Sequence, residues 1–181
     1  WSLCRLREKC GELGMKRSGK KADLVERLMD ETNHPPEVFR LRQKRGLYVP
    51  TKLDTGATAV LVAIQIQQDA APAGIYEYAG GTKDELYVLA DATDIKKDPF
   101  SGGTTQTGPY HYDGWSCMKQ LKEPADPPLV IEKKGRYRLS TTGDVSGLKL
   151  ARAMHIWCHK KGICKCIERG YPFNPDQWKK L

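Results

Sequence analysis

Apolar residues in the first 30 positions recur at the spacing of two short helices. Between Leu3 and Leu13 they are separated by steps of three and four residues, which places them on one face of a helix. Gly14 ends this helix, and after a short turn a second stripe runs from Leu24 to Leu28. Two such stripes bury each other when the helices fold back on one another. We therefore predict a helical hairpin.

The rest of the chain has the pattern of three helices, a β-hairpin and a last helix. Asp54 or Thr55 can cap the first helix, and Thr82 with Glu85 forms a capping box at the start of the second. The predicted segments are a helix to about Gln68, a helix from Thr82 to Ala90, a helix over 115–121, strands over 129–132 and 136–139 around Lys133-Lys134-Gly135, and a helix from Ser140 through Ala151. This is the order of a winged helix-turn-helix domain. The predicted fold class is mainly α with a small β-hairpin (α+β).

Composition divides the chain into four segments. The Pro35-Pro36 pair disfavours helix in the residue before it and closes the hairpin near residue 33. A basic stretch then leads into the larger block, which is followed by a run rich in Cys, His and Lys. The predicted organisation is a DNA-binding hairpin at 1–33, a basic linker at 34–46, a winged-helix domain at 47–153 and a basic tail at 154–181. Within the third segment, residues 95–109 are expected to form a mobile loop.

The charge of the chain predicts a polyanionic partner. Thirty Lys and Arg against 22 Asp and Glu give a net charge of +8 and a pI near 9.2, and nucleic acid is the commonest such partner. No run of about 18 apolar residues occurs, so no membrane partner is expected. Six cysteines at irregular spacings indicate a reducing compartment. Because the first residue is Trp1 rather than Met, we expect a segment of a longer protein.

The hairpin resembles the SAP motif, a helix-extended-helix module of chromatin and DNA-repair proteins. The resemblance is carried by the run Leu3-x2-Leu6-x3-Cys10-x2-Leu13-Gly14-Met15-x3-Gly19-x-Lys21-x2-Leu24-Val25-x-Arg27-Leu28. It implies binding of duplex DNA, with the turn and the start of the second helix against the phosphates. The residues at those positions are Lys16, Arg17, Ser18, Gly19, Lys20 and Lys21. The alternative is a small hairpin whose cations only keep it soluble.

The larger block resembles the winged-helix domain of the eukaryotic crossover-junction endonucleases, the structure-specific nucleases of the XPF class. Three stretches follow that family's spacing, and they are Tyr48-Val49-Pro50 before Gly56-Ala57-x-Ala59-Val60-Leu61, Gly114-Trp115-Ser116-Cys117-Met118-x-x-Leu121, and Arg136-Tyr137-x-Leu139-Ser140-x-x-Gly143. The resemblance implies binding of branched or flapped DNA. The candidate phosphate contacts are Lys119, Lys122, Lys133, Lys134, Arg136 and Arg138. Because strand residues alternate between two faces, the wing cations are not expected to serve equally.

The run after the winged-helix block contains potential zinc ligands. His155, Cys158, Cys164 and Cys166 could supply four tetrahedral ligands. Their spacing fits no zinc-finger pattern and lacks paired C-x2-C knuckles, so the sequence predicts no metal and no other cofactor. The alternative interpretation is a helix end that packs Cys158, followed by a basic tail. Residues 171–178 are then expected to form an extended segment that docks aromatic side chains.

Catalysis is not predicted for this chain. The resembled nucleases need a Glu-Arg-Lys group with a following Asp, whereas this chain has Glu168-Arg169-Gly170. The leading hypothesis is a non-catalytic nuclear segment that binds duplex, forked or branched DNA in repair, recombination or chromatin, with a repair or chromatin protein as a further partner. Two alternatives stay open: the targeting part of a larger structure-specific nuclease or helicase, and a scaffold that binds protein.

Overall fold

The structure of the chain is a computed structural model. It describes residues 1–13, 15–30, 34–50, 52–71, 80–96, 103–105, 108–110, 114–122 and 128–171. The helices of these ranges are α1 (Leu3–Glu12), α2 (Lys21–Met29), α3 (Glu37–Lys44), α4 (Gly56–Ala70), α5 (Lys83–Ala92), α6 (Cys117–Lys122) and α7 (Gly147–Lys160), and the strands are β1 (Gly81–Thr82), β2 (Gly103–Thr105), β3 (Gly108–Tyr110), β4 (Val130–Lys133) and β5 (Arg136–Leu139). The molecule is mostly helical with a small antiparallel sheet, which confirms the predicted fold class.

The predicted helical hairpin is formed by α1 and α2. Ser2 caps α1, and its hydroxyl accepts a hydrogen bond from the backbone N–H of Arg5 at 3.3 Å. The two helices bury Leu6, Cys10 and Leu24 between them. This cluster is separate from the main core of the protein. The hairpin therefore has a small core of its own.

Residues 37–44, which the sequence assigned to a basic linker, form helix α3. Phe39 and Arg42 are buried on its inner face. The ring of Phe39 meets the ring of Trp157 on α7 edge to face, with centroids 5.4 Å apart. The description of this stretch as a linker is therefore wrong for α3, because its apolar face packs on the body. The basic composition had masked that face.

Helix α4 is the centre of the main core. Thr55 caps it as predicted, and ten consecutive residues from Ala57 to Ile66 are buried. Such a helix is apolar on all sides because other elements surround it. Helices α5, α6 and α7 and strand β5 all pack against it. These four elements are thus arranged around α4.

The predicted hairpin is present and belongs to a three-stranded antiparallel sheet with strand order β1-β5-β4. Lys133 pairs with Arg136, so the loop contains only Lys134 and Gly135, and both have positive φ, 53° and 71°. Two positive φ values in a two-residue loop define a type I′ turn. Strand β1 was not predicted. It follows Gly80, where a side chain is excluded because a Cβ would lie 2.7 Å from the carbonyl oxygen of Tyr137.

The last helix begins later and extends further than the sequence predicted. Ser146, rather than a residue near Ser140, caps α7, and the hydroxyl of Ser140 instead accepts from the backbone N–H of Gly147 at 2.8 Å. Residues 161–171 then fold back on the body, where the backbone N–H of Lys165 donates to the carbonyl of Thr93 at 2.9 Å. The assignment of 154–171 to a tail is therefore wrong. Residues 172–178 of the expected docking segment lie outside the described residues.

Strands β2 and β3 pair with each other in the stretch that was expected to be a mobile loop. The other residues of that stretch that the structure describes are 95 and 96, of which Ile95 is buried in the main core. Part of the loop therefore has regular structure. No helix in the described ranges is both long and apolar enough to cross a membrane.

Candidate nucleic-acid interface

The turn between α1 and α2 presents the cations that the sequence singled out. Residues 16–21 are all exposed. The guanidinium of Arg27, on α2, donates to the carbonyl oxygens of Lys16 and Ser18, the second at 3.2 Å. Gly19 has a φ of 135°, which glycine adopts without strain. Arg27 was not among the predicted site residues, yet it fixes the shape of the turn.

The start of α2 is open to an anion. Lys20 occupies the cap position and has no oxygen that could cover the first N–H groups of the helix. The carboxylate of Asp23 accepts a hydrogen bond from the backbone N–H of Lys20 at 2.9 Å. Its oxygen therefore caps the residue before the helix rather than the first N–H groups of the helix. The positive end of the helix dipole therefore lies among lysines.

The cations of this turn lack salt-bridge partners among the described residues. Across the stretches that the structure describes, no carboxylate forms a salt bridge with the side chains of Lys16, Arg17, Lys20 or Lys21. The guanidinium of Arg17 lies over Gly11, where an added Cβ would come within 2.2 Å of its Nε atom. The glycine thus leaves room for the arginine to lie against α1. The turn thus groups four exposed cations that form no salt bridge in the part of the chain that the structure describes.

The pairing of β4 with β5 divides the predicted wing contacts. Lys133 lies opposite Arg136, and Arg138 follows two residues along β5, so these three side chains share one face of the sheet. Tyr137 and Leu139 belong to the other face and are buried. Lys134 stands at the tip. The hairpin therefore presents three cations on one side and a fourth at its end.

The two predicted residues of α6 differ in their surroundings. Lys119 is exposed. Lys122 forms a salt bridge with Glu132, and their side chains are 37% and 35% exposed. Glu132 pairs with Tyr137 and so belongs to the face opposite the wing cations. Lys122 is therefore paired with a carboxylate, and the sheet separates it from Lys133, Arg136 and Arg138. It does not form one cationic group with them.

Comparison with known families bears on the hairpin alone. Residues 1–32 match the family model of the SAP domain. The hairpin resembles a SAP domain. SAP domains are generally DNA-binding modules, so binding of nucleic acid is the function that this match supports. No curated protein and no solved structure matches the chain. We refer to residues 1–30 as the SAP-like hairpin.

A second group of functional side chains lies far along the chain from the SAP-like hairpin. His155, His159, Cys164 and Cys166 bring their potential ligand atoms within 4.8 Å of one another. Three of the four were predicted as a possible zinc set, but His159 takes the place given to Cys158. Burial, and then the nearby Cys164, raises the pKa of the Cys158 thiol to about 12. Cys158 packs in the core, whereas His159 lies one turn of helix from His155.

The sulfur atoms of this group differ in acidity. A hydrogen bond with Cys166 and, to a smaller extent, one with His155 lower the pKa of Cys164 against the opposing effect of burial. The same bond with Cys164 raises the pKa of Cys166. Burial lowers the pKa of His159, which favours its neutral imidazole. Two thiols and two imidazoles thus lie together, and such groups bind transition metals.

Proposed function

We propose that this chain binds duplex or branched DNA through phosphate contacts made by the SAP-like hairpin and by the β4–β5 wing. The observation that carries the proposal is the exposed turn at residues 16–21, where four cations that form no salt bridge within the described residues lie around the open N-terminus of α2. Phosphate oxygens match both the charges and the free N–H groups. The SAP match agrees with this assignment.

The second contact surface is proposed to belong to a winged-helix domain. Apart from β2 and β3, which lie between α5 and α6, the order is α4, β1, α5, α6, β4 and β5. This is helix, strand, two helices and a two-stranded wing, as in helix-turn-helix derivatives with a wing. Its likeness in sequence to the XPF-class nucleases suggests forked or branched DNA as the ligand. Lys and Arg on the wing suit phosphate contacts better than base reading, so recognition would depend on DNA shape.

We further propose a non-catalytic role in nuclear DNA repair, recombination or chromatin. The stretch Glu168-Arg169-Gly170 lacks the lysine of the nuclease pattern, and its arginine contacts the end of α5. The side chain of Arg169 donates to the carbonyl of Asp91 at 2.9 Å and lies 3.7 Å from the carboxylate of Asp94. Arg169 thus has a structural role that explains its presence. The alternative is that this segment is the targeting part of a larger structure-specific nuclease or helicase.

The proposal predicts that charge reversal in the turn weakens DNA binding without unfolding the protein. In the Lys20→Glu, Lys21→Glu variant, acids replace cations at a helix N-terminus, where they favour the helix. We expect affinity for a forked duplex to fall by about tenfold or more at about 0.1 M salt, because two phosphate contacts become repulsive. Fluorescence anisotropy with a labelled fork measures this, and circular dichroism checks the fold.

Two further variants complete the test. Lys133→Glu with Lys134→Glu should weaken binding to a similar extent if the wing contributes. Lys149→Glu with Lys160→Glu changes the net charge equally at exposed sites of α7 outside the two surfaces, and it should have the smaller effect. If about six phosphates are contacted, a fourfold rise in salt should weaken wild-type binding by about 10³. Equal losses in all three variants would reduce the interaction to non-specific attraction and overturn the proposed surfaces.

A further inference from the structure

The buried His and Cys side chains near the end of α7 converge on one point. The Nε2 atom of His155 lies 3.1 Å from the Sγ atom of Cys166, and the Nε2 atom of His159 lies 3.2 Å from the same sulfur. The Sγ atom of Cys164 completes a group in which all ligand atoms are within 4.8 Å. His155, Cys164 and Cys166 are buried and His159 is partly buried. Two imidazoles and two thiols thus share a site screened from water.

The local backbone explains why these four residues meet. His155 and His159 are four residues apart on α7, so their side chains lie on the same face. After the helix, Gly162 has a φ of 65°, and the N–H of Ile163 donates to the carbonyl of Cys158 at 2.9 Å. A glycine in this conformation reverses the chain at a helix end. The reversal returns Cys164 and Cys166 to the face that holds the histidines.

The orientation of His155 is fixed by residues behind it. The side-chain amide of Gln65 donates to the carboxylate of Asp69 at 2.6 Å, so its oxygen is the atom that faces Nδ1 of His155, at 2.7 Å. An oxygen accepts, and Nδ1 must therefore carry the proton. In the neutral ring, Nε2 then carries no proton and its lone pair is directed at the Sγ atom of Cys166, 3.1 Å away. Histidine ligands of metals are held in this way by a second hydrogen bond.

The hydrogen-bonded chain behind His155 extends to the surface. Arg152, which precedes His155 on α7, forms a salt bridge with Asp69. Gln65 itself is buried in the middle of α4, where a polar side chain needs a reason to be present. Orientation of His155 supplies that reason. A buried amide and an ion pair together hold the imidazole of His155 in one orientation.

We propose that His155, His159, Cys164 and Cys166 bind one zinc ion as a structural site. Zinc prefers nitrogen and sulfur ligands in a tetrahedron, and its bond lengths imply about 3.5 Å between neighbouring N and S ligand atoms. The two N to S distances of 3.1 and 3.2 Å need only a small adjustment to reach this value. Four protein ligands leave no open position for a substrate. The ion would join the end of α7 to the segment that packs on α5.

The experiment is metal analysis of the full 181-residue chain purified without chelators, together with substitution by Co²⁺. We expect one zinc ion per chain and, with Co²⁺, the intense visible absorption of a tetrahedral site with sulfur ligands. His159→Ala and Cys166→Ser should each lower zinc affinity by at least about 100-fold, which exceeds the loss typical of changing a residue that only orients a ligand. A chelator should lower the thermal midpoint of the wild type.

Cys158→Ala is the matched control, because Cys158 is a buried thiol of the same helix outside the group. It should retain zinc in full. Gln65→Leu removes the partner of His155 Nδ1 and should weaken zinc binding by roughly 10 to 100-fold while the ligands remain. If the ligand variants fail to fold, the Co²⁺ spectrum of the wild type decides. Substoichiometric zinc after reconstitution, an octahedral Co²⁺ spectrum, iron or copper in the site, or a Cys164–Cys166 disulfide in the purified protein would each overturn the proposal.

Discussion

Arg42 is a charged residue that has a structural role in the core. It is one of the cations of the supposed linker, but its side chain is fully buried. Its Nε atom donates to the carbonyl of Tyr48 at 3.0 Å, and a terminal nitrogen donates to the carbonyl of Val145. Burial lowers its pKa, although a guanidinium stays charged at neutral pH. One arginine thus connects α3 to the chain segments before α4 and α7.

Removal of this side chain should destabilise the body strongly. Arg42→Ala leaves two buried carbonyls without donors and opens a cavity, so we expect a loss of about 3 kcal/mol in the free energy of unfolding. Urea denaturation followed by circular dichroism measures it. Arg45→Ala, three residues away, removes a surface pair with Asp144 in which both side chains are about half exposed, and its effect should be much smaller. Equal effects would mean that Arg42 is a solvated cation after all.

Some residues of the two candidate sites could be identified from the sequence, and others could not. His155 and His159 have the spacing of two ligands on one helix face, and that signal was available. Gln65 was hidden within an apolar run, because only the fold brings it to His155, 90 positions along the chain. Arg27 belongs to the SAP-like pattern, but nothing in the pattern shows that it donates to the turn it stabilises.

At the scale of elements, the wing combines a strained residue with a candidate contact. Lys134 has a φ of 53°, a conformation that costs most residues about 1 kcal/mol or more and that asparagine tolerates better. Backbone strain of this kind is common at functional positions. A lysine at the tip of a type I′ turn therefore has a cost in stability that a contact with DNA would explain.

Replacement of Lys134 by asparagine should separate stability from binding. Lys134→Asn is expected to raise the free energy of unfolding by about 0.5 kcal/mol, because Asn-Gly is the preferred pair in this turn. It should also weaken DNA binding. The slope of log K against log salt should become less steep by about 0.9, the value for one phosphate contact. Thermal denaturation and salt-dependent anisotropy are the measurements. An unchanged slope would show that the tip does not contact phosphate.

Elements with strong local signals were predicted well, and those set by tertiary contacts were not. Thr82 and Glu85 form the predicted capping box, with Glu85 accepting from the N–H of Thr82 at 2.8 Å. The start of α7 was misplaced because Ser140 and its neighbours have a capping composition, while Ser140 in fact bonds to Pro128 and Gly147. Helix α3 was missed because Arg42, a buried residue, reads as polar.

At the scale of the whole molecule, the buried side chains of the described residues form two unequal cores. The SAP-like hairpin depends on three buried residues, whereas the main cluster unites α3 to α7 with the sheet and with Cys164 and Cys166. A core of three side chains supports little stability beyond the entropy of ordering two short helices. The proposed DNA contacts therefore lie partly on the less stable unit of the protein.

A substitution in the smaller core should unfold the hairpin alone. Leu24 is fully buried, and Leu→Ala changes at such sites cost about 2–5 kcal/mol. We expect Leu24→Ala to shift the amide NMR resonances of α1 and α2 to disordered positions while those of the body stay in place, and to weaken DNA binding. Val25→Ala alters the next residue, which is 40% exposed, and should leave the spectrum unchanged. Loss of body resonances in Leu24→Ala would show a single cooperative unit.

The continuous burial of α4 restricts where any partner can be recognised. A helix with ten successive enclosed residues offers no side chain of that stretch to a ligand. Contacts with DNA or protein must therefore be made by the peripheral elements around α4. These elements can vary in sequence while the sequence of α4 stays the same. Homologues with different partners should accordingly differ in the peripheral elements and keep the apolar character of this helix.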